Sequence, residues 1–506
     1  MVSRILSCSI TGLEAVPVHV ELDLSNGMPG LTIVGMGDTA VRESRERVLA
    51  ALRNSGYELP PSRVTVNLAP ADLKKEGSRY DLPIALGILA ALRAFSPSAL
   101  DGYLVMGELS LTGEVVGREP SFPAALLARK AGIEGIILPK EMAAEAALVK
   151  GCRALPVDRL SEVTEFLRGN GTLDPAAPVA VRNPDRIPDL SEVKGQEVPR
   201  RVLEIAAAGG HNLLMVGFPG AGKTMLARRL PGILPPLTSE QTVEVTAIHS
   251  IAGLLSQGNR IITLPPFRSP HHTISHVGLA GGGTHPRPGE ITLSHNGVLF
   301  LDEMSEFKRS SLETLRQPLE DGRITITRAA RSVSYPARFI LVGATNPCPC
   351  GFLGHETRPC ICSPSAVSRY RRRISGPLMD RIDLVVDVQG VPLERISSHR
   401  AGEGSGVVAE RVKTVRTAQA ERARDGFPTL NSRLSHGDLE KLCPIGREGE
   451  ALLKEAVRRL GLTARGYHRT LRIARTLADM EGKEVPGPEH LAEAIQYRPV
   501  LSGVYG

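Results

Sequence analysis

The chain of 506 residues is long enough for about three domains, and its 42% hydrophobic and 23% charged residues are ordinary for a soluble globular protein. A net charge of +7 suits a polyanionic partner, while the absence of Trp and an aromatic content of 4% argue against base stacking as a main binding mode. Seven cysteines, four of them crowded between positions 348 and 362, do not make a secreted disulfide framework; the N-terminus lacks a basic-then-apolar leader and the apolar runs break well short of a membrane span, so a cytoplasmic protein is expected.

Residues 1–168 read as one α/β unit. Residues 16–24 (VPVHVELDL) alternate as a half-buried strand does, 31–35 and 64–68 read as further strands, and 38–54 carry Val41, Val48 and Leu52 at helical spacing. An apolar helix is expected over 82–95, with strands over 102–109 and 136–138. The stretches Lys75-Glu76-Gly77, GELSLTGEV at 107–115 and AGI at 131–133 resemble the proteolytic domain of the Lon protease family. That resemblance implies a Ser–Lys dyad, but the nucleophile turn here reads GSRYDLP around Ser78, and GREPSF at 117–122 has no Lys where the dyad partner belongs. The expectation is a scaffold without peptidase activity, available for assembly or for a protein partner.

Residues 169–188 are rich in Gly, Pro and Asn without a period, as a linker is. DLSEVKGQ at 189–196 follows and resembles the entry to an AAA+ ATPase module, with a helix expected from Gln196 to Ala208. Then comes HNLLMV, a buried strand, running into GFPGAGKT at 217–224. This is the phosphate-loop pattern: Gly217, Gly220 and Gly222 allow close backbone approach, Pro219 and Ala221 complete the loop, Lys223 faces the β- and γ-phosphates of ATP, and Thr224 offers a hydroxyl to Mg²⁺. GVLFLDE at 297–303 is an apolar strand ending in two carboxylates, Asp302 for Mg²⁺ and Glu303 to activate the attacking water.

Between these motifs the sequence reads as a long insert, 238–295, holding PFRSPHHT at 266–273, three consecutive Gly, and a set of histidines that includes His271, His272, His276, His285 and His295. Their spacing matches no zinc motif, and a partner-facing loop is expected. Residues 320–336 alternate on both sides of a short turn and predict a β-hairpin carrying Arg323, Arg328 and Arg331, either a solvated face or a basic finger for a phosphate backbone. FILVGAT at 339–345 is a strand ending at Asn346, the first-sensor position in AAA+ proteins. Cys348, Cys350, Cys360 and Cys362 form two Cys-x-Cys pairs, and two readings stand: a tetrahedral Zn²⁺ set, or four reduced thiols shaping a loop. In related ring ATPases the Arg of a segment like 375–384 is the arginine finger, here Arg381; from 407 the pattern is helical, and Arg465 fits the second sensor.

Together these motifs resemble the magnesium chelatase I subunit and the bacterial YifB/ComM proteins, with GFPGAGKT, PFRSPHHTIS, GVLFLDE and GATNPCPCG in order. The resemblance implies an α/β fold: a Lon-like domain (1–168), a linker (169–188), an AAA+ core with a parallel sheet (189–398) and a C-terminal helical lid (399–506). It implies a homo-hexameric ATPase using ATP and Mg²⁺ and acting on single-stranded or branched DNA, as a branch-migration helicase in recombination and natural transformation. The rivals are a chelatase-like motor on a protein partner and a regulator without helicase action.

Overall fold

The computed structural model describes residues 2–59, 61–75, 77–117, 119–177, 187–255, 261–283, 287–328, 331–391 and 402–498. The chain divides into two compact units, 1–182 with 246–261, and 183–245 with 262–506.

In the first unit seven strands form a mixed sheet in the order Gly30–Val34, Ser62–Ala69, Glu14–Asn26, Val2–Thr11, Tyr103–Val105, Gly135–Pro139, Arg153–Val157. Strand Glu14–Asn26 alternates as expected, burying Val18, Val20 and Leu22. Its partner Val2–Thr11 escapes a reading by hydrophobic alternation, because buried positions 3, 7 and 9 are serines around Ile5. Helix Asp81–Ala91 is buried at every residue, which is why its sequence is apolar all round. Its charged first residue, Asp81, is matched by Arg47 at 2.6 Å and by the backbone N–H of Leu109 at 3.3 Å, satisfying a carboxylate that burial would otherwise penalise. The helix stops four residues before the expected end, and Arg93 then takes φ 57°. The strand expected over 102–109 breaks in two, and Glu108–Leu109 pairs with Val115–Val116 instead. The Ser78 hydroxyl donates to the Glu108 carboxylate, and the buried Lys75 amine donates to the Pro70 carbonyl.

In the second unit five parallel strands line up in the order Phe267–Arg268, Val298–Leu301, Ile340–Thr345, Leu213–Gly217, Leu384–Val388. Three of them are buried at every position, as parallel strands covered on both faces must be. Helices Ser405–Ala423, His436–Leu442, Arg447–Leu460, Ala464–Met480 and Pro488–Gln496 follow, in the stretch where the sequence pattern is helical. Val412, Leu453 and Leu477 from these helices share one apolar core with Leu213, Phe300 and Val342 of the sheet.

The stretch 238–295 is not a continuous insert. It contains the helix Ser239–Ile251, the edge strand Phe267–Arg268 of the central sheet and the short helices His276–Ala280 and Glu290–Leu293. The strand is two residues long between Pro266 and Pro270, too short and too proline-bound to show a period. Residues 246–261 group with the first unit. Among the described residues, no helix is long and apolar enough to cross a membrane.

Candidate functional site

The strands Leu213–Gly217, Val298–Leu301 and Ile340–Thr345 run side by side with Ile340–Thr345 in the middle, so the residues after their carboxyl ends meet. Crevices at this edge of a parallel sheet are where such folds take ligands. The loop after the first strand turns at Gly220 (φ 79°) and Gly222 (φ 94°), backbone that only glycine adopts without strain. Gly217 is required for a different reason from the one its motif implies: a Cβ there would lie 2.2 Å from the Val388 carbonyl oxygen. The helix Lys223–Ala227 begins directly after Gly222.

Lys223 folds back over its own loop, donating to the carbonyls of Gly217 (2.6 Å) and Phe218 (2.9 Å) and to Oδ1 of Asn346 (3.1 Å). Burial pushes its ammonium below the usual lysine range, with Asp302 and Glu303 pulling the other way. A phosphate chain offers this amine stronger acceptors than carbonyls. Thr224 donates from Oγ1 to Oδ2 of Asp302 at 2.6 Å, which puts two hard oxygen donors together as Mg²⁺ requires. The buried Gln196 ties the loop down through the carbonyls of Ala221 (3.2 Å) and Gln389 (2.8 Å).

Glu303 takes φ 50°, a left-handed backbone that costs a non-glycine residue of order 1 kcal/mol or more. Its N–H donates to Oδ1 of Asp302 at 3.0 Å, which holds the turn. The carboxylate is half exposed, and His272 Nδ1 lies 3.4 Å from its Oε2. The approach of His272 to Glu303 was invisible in the sequence; the only signal was the Pro-His-His-Thr run. The other described histidines of that set in 238–295 do not converge on a metal. The His271 ring lies tilted against His272 with centroids 4.1 Å apart, His276 is exposed, and the buried His295 bonds to Glu244 at 3.1 Å and accepts the Arg338 N–H at 3.0 Å; His285 lies outside the described residues. Among the described residues, only the four clustered cysteines could hold an ion by their proximity.

Arg381 and Arg465 do not join this group. Arg381 precedes the strand Leu384–Val388, and its carbonyl accepts from Asn212, the residue before Leu213–Gly217. Six residues of extended chain, at ~3.3 Å each, therefore separate that level from Phe218 by about 20 Å. The Arg381 guanidinium donates to the Pro377 carbonyl at 2.7 Å and pairs with Glu320. Arg465 is exposed at the start of Ala464–Met480 and lines the same cavity of about 960 Å³ as Asn212, Arg338, Arg381, Arg469 and Arg472. Burial pushes Arg469 down to about 10. One chain thus carries the loop and acids on one sheet edge and a basic cavity on the other.

The hairpin forms as Arg323–Arg328 against Arg331–Pro336. Ile324, Ile326 and Tyr335 are buried on one face, and Arg323, Thr325 and Thr327 are exposed on the other. The register places Arg328 opposite Arg331 at the end of the ladder; their side chains lie outside the described residues.

A parallel sheet with its first strand between the fourth and fifth, a Gly-Lys-Thr loop, a paired acid strand and a polar residue just past the end of the strand between them define an AAA+ protein. Family models match as "Subunit ChlI of Mg-chelatase" over 20–142, "Magnesium chelatase, subunit ChlI" over 189–396 and "Magnesium chelatase, subunit ChlI C-terminal" over 402–498. YifB of Salmonella typhimurium is 44% identical, covering 97% of this chain and 95% of its own. Competence protein ComM of Haemophilus influenzae is 43% identical over 97% and 96%, and the magnesium-chelatase 67 kDa subunit of Heliobacterium mobile 25% identical over 42% and 37%. The chain belongs to the YifB/ComM family of magnesium chelatase-like AAA+ proteins.

Proposed function

We propose that this protein is an ATP-hydrolysing ring motor that moves DNA. The observation that carries the ring is the split site: Lys223, Thr224, Asp302, Glu303 and Asn346 lie at one sheet edge, and Arg381 and Arg465 at the other. A head-to-tail ring brings the two edges of successive subunits together, and a hexamer closes it. In this reading ATP lies on Gly217, Pro219, Gly220, Ala221 and Gly222, with Lys223 on its β- and γ-phosphates. Mg²⁺ held by Thr224 and Asp302 supplies neutralisation of phosphate charge. Glu303 takes the proton of the attacking water, Asn346 orients that water beside the γ-phosphate, and Arg381 and Arg465 of the next subunit approach the transferring group.

His272 positions the Glu303 carboxylate. The expected result for His272→Ala is a turnover reduced about tenfold, ~1.4 kcal/mol, with nucleotide affinity unchanged. A changed affinity with unchanged turnover would remove His272 from this role.

The hairpin and the resemblance to ComM support DNA as the substrate, single-stranded or branched. Replacing Arg323, Arg328 and Arg331 by Ala is expected to lower the slope of log affinity against log salt by roughly one for each phosphate that an arginine no longer neutralises, whatever the DNA sequence. ATPase rates measured with single-stranded, duplex and branched DNA test the reading directly. Stimulation by none of them, with a stable complex to a large protein partner, would favour a chelatase-like remodeller, the alternative that the magnesium chelatase matches support. The N-terminal unit then serves as a Lon-like scaffold and not as a peptidase, since GREPSF at 117–122 carries no Lys where the dyad partner belongs and Ser78 stands outside the nucleophile motif.

A further inference from the structure

The four clustered cysteines come from two short segments, 348–350 and 360–362, which the fold brings to one point. Cys348 is buried two residues after Asn346, and the turn that follows is closed by the Gly351 N–H donating to the Cys348 carbonyl at 3.0 Å. Cys360 and Cys362 return to the same point after nine intervening residues. Cys348 Sγ lies 3.4 Å from Cys350 Sγ and 3.6 Å from Cys360 Sγ, Cys350 and Cys360 are also 3.6 Å apart, and all four sulfurs lie within 4.8 Å of one another. A disulfide needs ~2.05 Å, and all four thiols are free. Sulfurs at ~2.3 Å from one tetrahedral ion sit about 3.8 Å apart, so the spacing is that of a mononuclear tetrathiolate site. Backbone N–H groups face the sulfurs as an outer shell does: Cys350 donates to Cys362 Sγ and Cys362 to Cys360 Sγ, both at 3.4 Å.

The segment between the two pairs lies against the phosphate loop. Gly351 approaches so closely that a Cβ there would be 2.6 Å from Cγ of Pro219. The His355 ring meets Phe218 edge-on at 4.7 Å, Phe352 backs His355 at 5.6 Å, and the Arg358 guanidinium covers Phe352 at 5.4 Å. Anchoring both ends of this segment at one point fixes the surface on which Phe218 and Pro219 rest.

We infer that Cys348, Cys350, Cys360 and Cys362 bind one structural Zn²⁺, and that residues 351–358, held by the metal, brace the phosphate loop. The bracing half rests on the reading of 217–224 as a nucleotide loop; the metal half does not. Four protein thiolates fill a tetrahedral shell and leave no position for water, which makes the site structural and not catalytic.

The test uses the full-length protein purified under reducing conditions without chelator. Elemental analysis is expected to give one zinc per chain, and the double variant Cys360→Ser with Cys362→Ser to give background. Wild type stripped of metal and titrated with Co²⁺ is expected to develop thiolate-to-cobalt charge-transfer absorption that saturates at one equivalent, a readout that needs no variant to fold. His355→Ala is expected to keep its zinc and to weaken binding of a fluorescent ATP analogue by about two- to tenfold, the range of an edge-on aromatic contact. Absence of zinc together with no cobalt spectrum overturns the metal site, as does stoichiometric iron in its place. Full zinc with unaltered analogue affinity in His355→Ala overturns the brace. Full zinc in a wild type that binds no nucleotide supports the metal site and sinks the nucleotide reading instead.

Discussion

Glu303→Gln is expected to bind ATP as the wild type does and to hydrolyse it at least ~100-fold more slowly, a loss of about 2.7 kcal/mol of transition-state stabilisation. The substitution keeps the shape of the side chain and the backbone N–H that donates to Asp302, so the left-handed turn at φ 50° is retained. The hydrogen-bonded pair of Thr224 and Asp302 does not involve the altered group. What disappears is the ability to accept a proton, because an amide is no base. The half-exposed position of Glu303 beside His272 leaves room for a water between the side chain and a phosphate. Equilibrium binding of a fluorescent analogue and single-turnover hydrolysis separate the two effects. Hydrolysis at the wild-type rate would remove Glu303 from the mechanism.

The parts of this site that are legible in the sequence are those in which chemistry and chain run together. GFPGAGKT needs its glycines, lysine and threonine in consecutive positions, and GVLFLDE joins a buried strand to the acids at its end, so each motif carries its own context. Parts assembled across the fold are not legible in this way. The approach of His272 to Glu303 depends on Phe267–Arg268 pairing beside Val298–Leu301, and a two-residue strand between prolines has no period to read. The separation of Arg381 and Arg465 from Lys223 depends on which ends of the strands they flank, and the order of strands in a sheet leaves no local trace. In the first unit, Val2–Thr11 buries serines at positions 3, 7 and 9, so hydrophobic alternation fails there; at Ser3 a hydrogen bond takes the place of apolar packing, Oγ donating to the Gly87 carbonyl at 3.0 Å. The cysteines are a middle case: the sequence offers both pairs as one candidate set beside a reading as a thiol-shaped loop, and the fold brings the four sulfurs within 4.8 Å of one another.

Because the basic edge lies about 20 Å from the loop of its own chain, Arg381→Ala is expected to act on the neighbouring subunit. The variant retains its own Lys223, Thr224 and Asp302, so ATP binding survives, while hydrolysis falls by about three orders of magnitude or more, the range of arginine fingers. Reduced stability does not account for such an effect. The guanidinium pairs with a largely exposed Glu320, and an ion pair of that kind contributes ~1 kcal/mol at most. Lys223→Ala is expected to be inactive for the opposite reason, having an intact Arg381 and no amine for the phosphates. When the two variants are mixed, a ring contains some interfaces at which an intact loop faces an intact finger, and partial hydrolysis returns at those interfaces alone. Activity is then expected to rise from the level of either variant, pass through a maximum as their ratio varies, and fall again. To reach across, Arg381 must release Glu320, so Glu320→Gln is expected to preserve or raise hydrolysis. If mixed rings form, as shown by co-purification of differently tagged subunits, and no hydrolysis returns at any ratio, Arg381 does not complete a neighbour's site and the split-site ring fails with it.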